Sequence, residues 1–117
     1  MRGIRGAITV PENSREEILE ATELLLEKMI AENNVKHSQI VSIIFTATDD
    51  LDREYPAVAA RSLGYYDVPL MCYQELNIRD SLSGCIRCML YYNSELPLSE
   101  IEHVYLRKAR QLRPDLV

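Results

Sequence analysis

Apolar residues along this chain fall into five short runs and one long helical stripe. In residues 2–10, Arg-Gly-Ile-Arg-Gly-Ala-Ile-Thr-Val, alternation puts Ile4, Ile8 and Val10 on one face and Gly3, Arg5, Ala7 and Thr9 on the other, which predicts a strand. Glycines on both sides of Arg5 soften it, as in an edge strand with a solvated arginine, or leave room for a close backbone or ligand. Pro11 closes the run. Ser14 then predicts a helix N-cap, and Glu17 completes a capping box. Ile18, Leu19, Leu25, Leu26, Met29 and Ile30, with Ala21 and Thr22 filling the stripe, predict a scaffold helix to about Asn34, its outer face lined with glutamates. His37 follows in a loop and is expected to be solvated.

Ile40 to Phe45 is continuously apolar and β-branched, the pattern of an interior strand covered on both faces. A strand, long helix, strand order predicts a right-handed crossover with parallel pairing of the two strands. Pro56 suits the first turn of a short helix from Ala57 to Leu63, stopped by Gly64 and carrying Arg61 as an exposed helix charge. Val68 to Tyr73 reads as a third strand. Cys85 to Tyr92 reads as a fourth, with Cys85, Arg87, Met89 and Tyr91 on one face and Ile86, Cys88, Leu90 and Tyr92 on the other. His103 to Arg107 reads as the last strand, after a helical turn at Leu98 to Ile101, and Lys108 to Leu112 as a helical tail.

Both faces of the Cys85–Tyr92 run are largely apolar, which predicts a strand covered on both sides and a poorly hydrated Arg87. A desolvated cation requires a partner. Glu75, on the polar turn before this run, supplies one candidate as a structural ion pair; an anionic ligand is the other. Cys85-x-x-Cys88 is the only textual match to a metal or redox pattern, but positions three apart on a strand point to opposite faces and cannot chelate one ion. Cys72 as a nucleophile would require a histidine base. What remains is a set of arginines (Arg5, Arg61, Arg87), one carboxylate (Glu75), a thiol (Cys72) and a phenol (Tyr105). Arginine is the side chain suited to bidentate carboxylate recognition. The set fits a small dicarboxylate-like substrate and a reaction without covalent or metal chemistry.

Size and charge narrow the class. At 117 residues the chain is expected to form one domain, residues 1–117, large enough for a core and helped by oligomerisation. The net charge of −5 argues against nucleic acid as the main partner, although it permits a local basic pocket. No apolar run approaches the roughly 20 residues of a membrane span. The two arginines at the N-terminus are followed by no apolar signal region, and three cysteines argue against a disulfide framework. The expected location is therefore the reducing cytoplasm.

At these residues the sequence resembles a known family. Arg-Gly-Ile-Arg-Gly-Ala at 2–7, Tyr-Pro-Ala at 55–57 with Arg61, Val-Pro at 68–69 followed by Cys72-x-Gln74-Glu75, Cys85-Ile86-Arg87, His103-Val104-Tyr105-Leu106 and Leu112-Arg113-Pro114-Asp115-Leu116 are similar to the trimeric α/β class of chorismate mutase. The resemblance covers nearly the whole chain. It implies an α/β (α+β) fold, a mixed five-stranded sheet with one long helix and shorter helices on one face, and three copies assembled into a pseudo-α/β barrel with active sites between subunits. The implied reaction is the pericyclic rearrangement of chorismate to prephenate, which requires no cofactor and no metal. Arg87 would meet the negative charge growing on the ether oxygen. Arg5 and Tyr105 would hold a carboxylate, and Glu75 and the Cys72 region the ring hydroxyl. Tyr55, Ala57 and Arg61 would come from the neighbouring subunit, and Arg113 from the tail. Two departures stand out: Val58 occupies a position that is basic in some members, and only four residues follow Arg113, so no longer covering tail is expected. A non-catalytic trimeric module for a small carboxylate, and a different small-acid enzyme on a similar barrel, are the alternatives.

Overall fold

The computed structural model describes residues 1–116. Strands β1 (Arg2–Thr9), β2 (Ile40–Ala47), β3 (Leu70–Gln74), β4 (Cys85–Tyr92) and β5 (Val104–Leu106) form one mixed sheet in the order β3-β2-β4-β1-β5. β4 runs antiparallel to both β1 and β2, while β2–β3 and β1–β5 are parallel pairs. The expected direct pairing of β1 with β2 is thus corrected. The crossover through α1 (Arg15–Glu32) does leave them parallel in direction, but β4 lies between them, eight residues long and bonded to both. Periodicity fixes which residues share a face; it carries no information on which strand lies beside which. For the same reason β1 is an interior strand, not an edge.

Ser14 caps α1 by accepting from the Glu17 N–H at 3.2 Å. Only half of the expected capping box forms, because the Ser14 N–H turns back to the Glu12 carbonyl at 2.9 Å. The predicted stripe does its expected work: Ile18, Ala21, Leu25, Leu26 and Met29 are all 0% exposed, packed against Ile4, Ile8, Ile43, Phe45, Ile86 and Leu90. Each large side chain buried this way contributes about 1.5–3 kcal/mol. Gly6 is explained by this packing: a Cβ there would collide with the Met29 sulfur. The close approach is made by a helix, not by a ligand. The short helix α2 (Ala57–Ser62) completes this layer, and Gly64, with φ of 103°, ends it in a conformation that favours glycine.

The opposite face of the sheet is largely bare. β2 and β4 were expected to be covered on both sides, yet this chain covers only one. On the other, Met71 is 55% and Tyr73 51% exposed, with Ile44, Met89 and Tyr91 half-buried. A continuous apolar run specifies two apolar faces without specifying that both covers come from the same chain. The 3₁₀ turn Arg107–Leu112 shields one corner of this open face, where Ala109 packs on Ala7, Cys85 and Tyr105.

Candidate active site

Strand register assembles the site on that open face. Thr46 of β2 stands opposite Arg87 of β4, Arg87 opposite Ala7 of β1, and Ala7 opposite Tyr105 of β5. Arg5 lies one rung away, beside Met89. The small side chain of Ala7 opens a gap between Arg87 and Tyr105, and the cavity of about 300 Å³ found here is lined by Arg5, Ala7, Ile44, Thr46, Glu75, Arg87, Met89, Tyr105, Leu112 and Arg113. Five of the residues singled out in the sequence, Arg5, Glu75, Arg87, Tyr105 and Arg113, therefore converge.

Glu75 leaves the end of β3 with its backbone N–H bonded to the Ala47 carbonyl at 2.9 Å, which fixes where its side chain starts. Its Oε2 accepts from the Thr46 hydroxyl at 2.5 Å and lies 3.1 Å from Arg87 Nε. The Nε–H, itself sealed from solvent, is not aimed at that oxygen, so the contact is a Coulombic pair without an aligned hydrogen bond. Of the two alternatives for Arg87, the ion pair with Glu75 is realised, and the cavity leaves the other open. The Arg87 side chain is 41% exposed in the chain by itself, more than a strand covered on both sides predicts, whereas Glu75 is 19% exposed. Arg113 makes a two-pronged contact with Asp115, at 3.2 and 3.0 Å. That contact, with the nearby Arg5 charge adding to it, holds the Asp115 carboxyl below its usual range. Three guanidinium groups over an apolar floor of Ile44, Met89 and Leu112 suit a small anion with hydrocarbon character.

The remaining candidates sit elsewhere. Tyr55, 69% exposed, and Cys72 line a separate groove of about 470 Å³. Ala57 is buried at the start of α2, and Arg61 is exposed on the same helix. Cys72, expected near Glu75, is instead grouped with these residues: it stands opposite Phe45, and its thiol lies by the Ala57 backbone and the Arg61 charge. Within one chain the two groups lie apart. Burial raises the Cys72 thiol above its ordinary pKa and pushes Cys85 up to about 11, and Cys88 is raised as well. None of the three is poised as a thiolate near neutrality. Cys85 and Cys88 belong to different packing clusters, as their strand spacing requires. Among the described residues no cluster of three or more metal-ligating side chains occurs. His37 is exposed, as expected, and there it also pairs with Asp67 at 2.6 Å and packs at a tilt against Tyr65.

Sequence reasoning missed two contributors. Thr46 carries no motif, and only the register across β2 and β4 shows that its hydroxyl reaches Glu75. His103 accepts a hydrogen bond from the Arg5 backbone N–H at its Nδ1, 2.9 Å away.

The family model described as chorismate mutase type I matches residues 1–116. The chain is 46% identical to the chorismate mutase AroH of Bacillus subtilis (strain 168) over 117 residues, 99% of this chain and 92% of the relative. It is 44% identical to the chorismate mutase AroH of Thermus thermophilus over 117 residues, 99% of this chain and 96% of that protein. A solved chorismate mutase from Clostridium thermocellum superimposes with a TM-score of 0.93 at 42% identity, covering 95% of this chain and 99% of that one.

Proposed function

The chain belongs to the chorismate mutase type I family, and from that premise we infer that it rearranges chorismate to prephenate, the step that commits carbon to phenylalanine and tyrosine. The observation that carries the mechanism is the Arg87–Glu75 pair set in a cavity that also holds Arg5, Tyr105 and Arg113. The reaction is intramolecular: the ether C–O bond breaks while a C–C bond forms, with no proton transferred and no group lost. A protein accelerates it by holding the compact chair-like conformer and by meeting the charge that separates as the C–O bond lengthens.

In the reading we favour, Arg87 faces the ether oxygen, where partial negative charge grows, and Glu75 faces the ring, which becomes electron-poor, while also accepting from the ring hydroxyl. Thr46 keeps Glu75 in that orientation. Arg5, Tyr105 and Arg113 hold the carboxylates. Tyr55, Ala57, Arg61 and Cys72 complete the wall of a neighbouring subunit's cavity. A homotrimer is proposed on two supports: the half-sites are separate within one chain, and Met71 and Tyr73 leave an apolar face uncovered. A reducing, cytoplasmic setting is proposed from the three unpaired cysteines.

The direct test is to mix the purified, folded protein with chorismate and follow its conversion to prephenate. Binding without conversion would support a non-catalytic carboxylate module instead and sink this reading.

A further inference from the structure

We propose that His103 is a positioning residue: in its neutral form it holds the backbone of Arg5, and thereby the guanidinium that receives a substrate carboxylate. β5 begins only at Val104, which pairs with Gly6, so the Arg5 N–H lies opposite a position where β5 supplies no strand partner. The imidazole takes that place, its Nδ1 accepting from the Arg5 N–H at 2.9 Å. Because a backbone N–H only donates, Nδ1 must carry its lone pair, and the ring proton is assigned to Nε2. The segment is itself clamped. The buried Asn33 side chain at the end of α1 donates to the Glu102 carbonyl at 2.9 Å and accepts from the Glu102 N–H at 2.9 Å. The ring is thus fixed from the helix layer through Glu102 and delivers its acceptor to the strand residue that lines the cavity.

A protonated imidazole has no acceptor at Nδ1, so the contact exists only with the neutral ring. The charged groups acting on it are Arg5 on β1, Arg113 on the tail and Glu102 beside it. Burial, then the two arginines, lower its pKa below the usual 6.5, against a smaller opposing effect of Glu102. The sign follows: the contribution is complete above pH 6.5 and is lost as pH falls through the lowered folded-state value.

This inference rests on the chorismate mutase reading through the role of Arg5, and its test separates the two. His103→Ala should raise KM for chorismate by roughly three- to ten-fold, the range of one ordinary hydrogen bond, with kcat nearly unchanged. His103→Asn places an amide oxygen close to the Nδ1 position and should restore most of the affinity while removing the rise in KM expected of the unaltered protein as pH falls through the lowered His103 pKa. In an Arg5→Ala background, His103→Ala should add almost nothing, because it acts through Arg5. Hydrogen exchange of the Arg5 amide reads the contact without any turnover: it should lose protection in His103→Ala and keep it in His103→Asn. Full additivity with Arg5→Ala, an Asn variant no better than Ala, or unchanged Arg5 amide protection in a folded Ala variant would each overturn the proposal. Failure of the unaltered protein to convert chorismate would instead count against the functional reading, while the exchange result still decided the contact.

Discussion

If Arg87 works by charge, replacing it with its neutral near-isostere citrulline should lower kcat by two to three orders of magnitude and leave KM within a few-fold. An ordinary hydrogen-bond contact distance sets this size. A cation about 3 Å from an oxygen that gains roughly half a unit charge is worth about 3 kcal/mol at an effective dielectric of 20. That agrees with the ~3–4 kcal/mol measured on deleting single donors from oxyanion holes. At about 1.4 kcal/mol per factor of ten, the expected loss in rate is roughly 10²- to 10³-fold. The cost falls on kcat because the oxygen carries this charge only as the bond breaks. Arg87→Lys should recover part of the rate, since a shorter point charge cannot reproduce the planar fork.

Stability has to be followed alongside. Removing the guanidinium leaves Glu75, 19% exposed, with Thr46 as its remaining side-chain partner. The pair lies between a solvated surface bridge and a sealed one, so its loss should cost about 1 kcal/mol, a few degrees in Tm. Stopped-flow or continuous absorbance assays on chorismate give kcat and KM, and a melting curve shows that the loss is not one of folding. A citrulline variant with near-normal kcat would refute the electrostatic account and leave conformational confinement as the source of the rate.

Light scattering should give about three times the 13.5 kDa chain mass, and a fully active monomer would eliminate the shared cleft. Cys72→Ser should keep activity within about three-fold, as expected of a thiol whose pKa is raised by burial; a loss as deep as that of the Arg87 variants would revive covalent chemistry. Thr46→Val should cost roughly ten- to a hundred-fold in kcat/KM by freeing Glu75, with Thr46→Ser close to unaltered, consistent with a hydrogen bond to a charged group worth ~1.5–3 kcal/mol; equal loss in both variants would assign the effect to packing.

Local elements were legible because local rules govern them. Ser14 and the stripe from Ile18 to Met29 define α1, and alternation in β4 puts Arg87 and Met89 on one face and Cys88 and Leu90 on the other. Non-local relations were not legible. Nothing in the residues says that β4 inserts between β1 and β2, and that insertion is what brings Thr46 beside Arg87 and Ala7 beside it on the other flank. The same ambiguity affects burial: the runs in β2 and β4 call for two covers, and one chain supplies one. Arg87 was recognisable as a site candidate because a cation in an apolar strand requires an explanation, whereas Arg113, outside any strand, became a candidate only through the family resemblance. Thr46 and His103 were missed because a hydroxyl or an imidazole near a strand end is ordinary in sequence and acquires its role only through register.

The carboxylate beside Arg87 gives the site a division of labour. Glu75 offsets part of the charge of Arg87 in the resting cavity, so the pair attracts an anion less than a lone guanidinium would. On the proposed mechanism, ground-state affinity for a dicarboxylate would then fall to Arg5, assisted by Tyr105, and to Arg113 where the substrate displaces Asp115 from it, and these interactions would be equally strong before and during the reaction. A balanced pair responds to something else: a dipole that opens across it. On the proposed mechanism, as the ether oxygen gains negative charge and the ring loses electrons, the cation would meet the first and the carboxylate the second, and both interactions would strengthen together. Binding energy placed this way is larger in the transition state than in the bound substrate, which is the condition for raising kcat. It also accounts for a cation kept in an otherwise apolar strand of a chain with net charge −5, and for a hydroxyl, Thr46, that restrains the carboxylate without neutralising it.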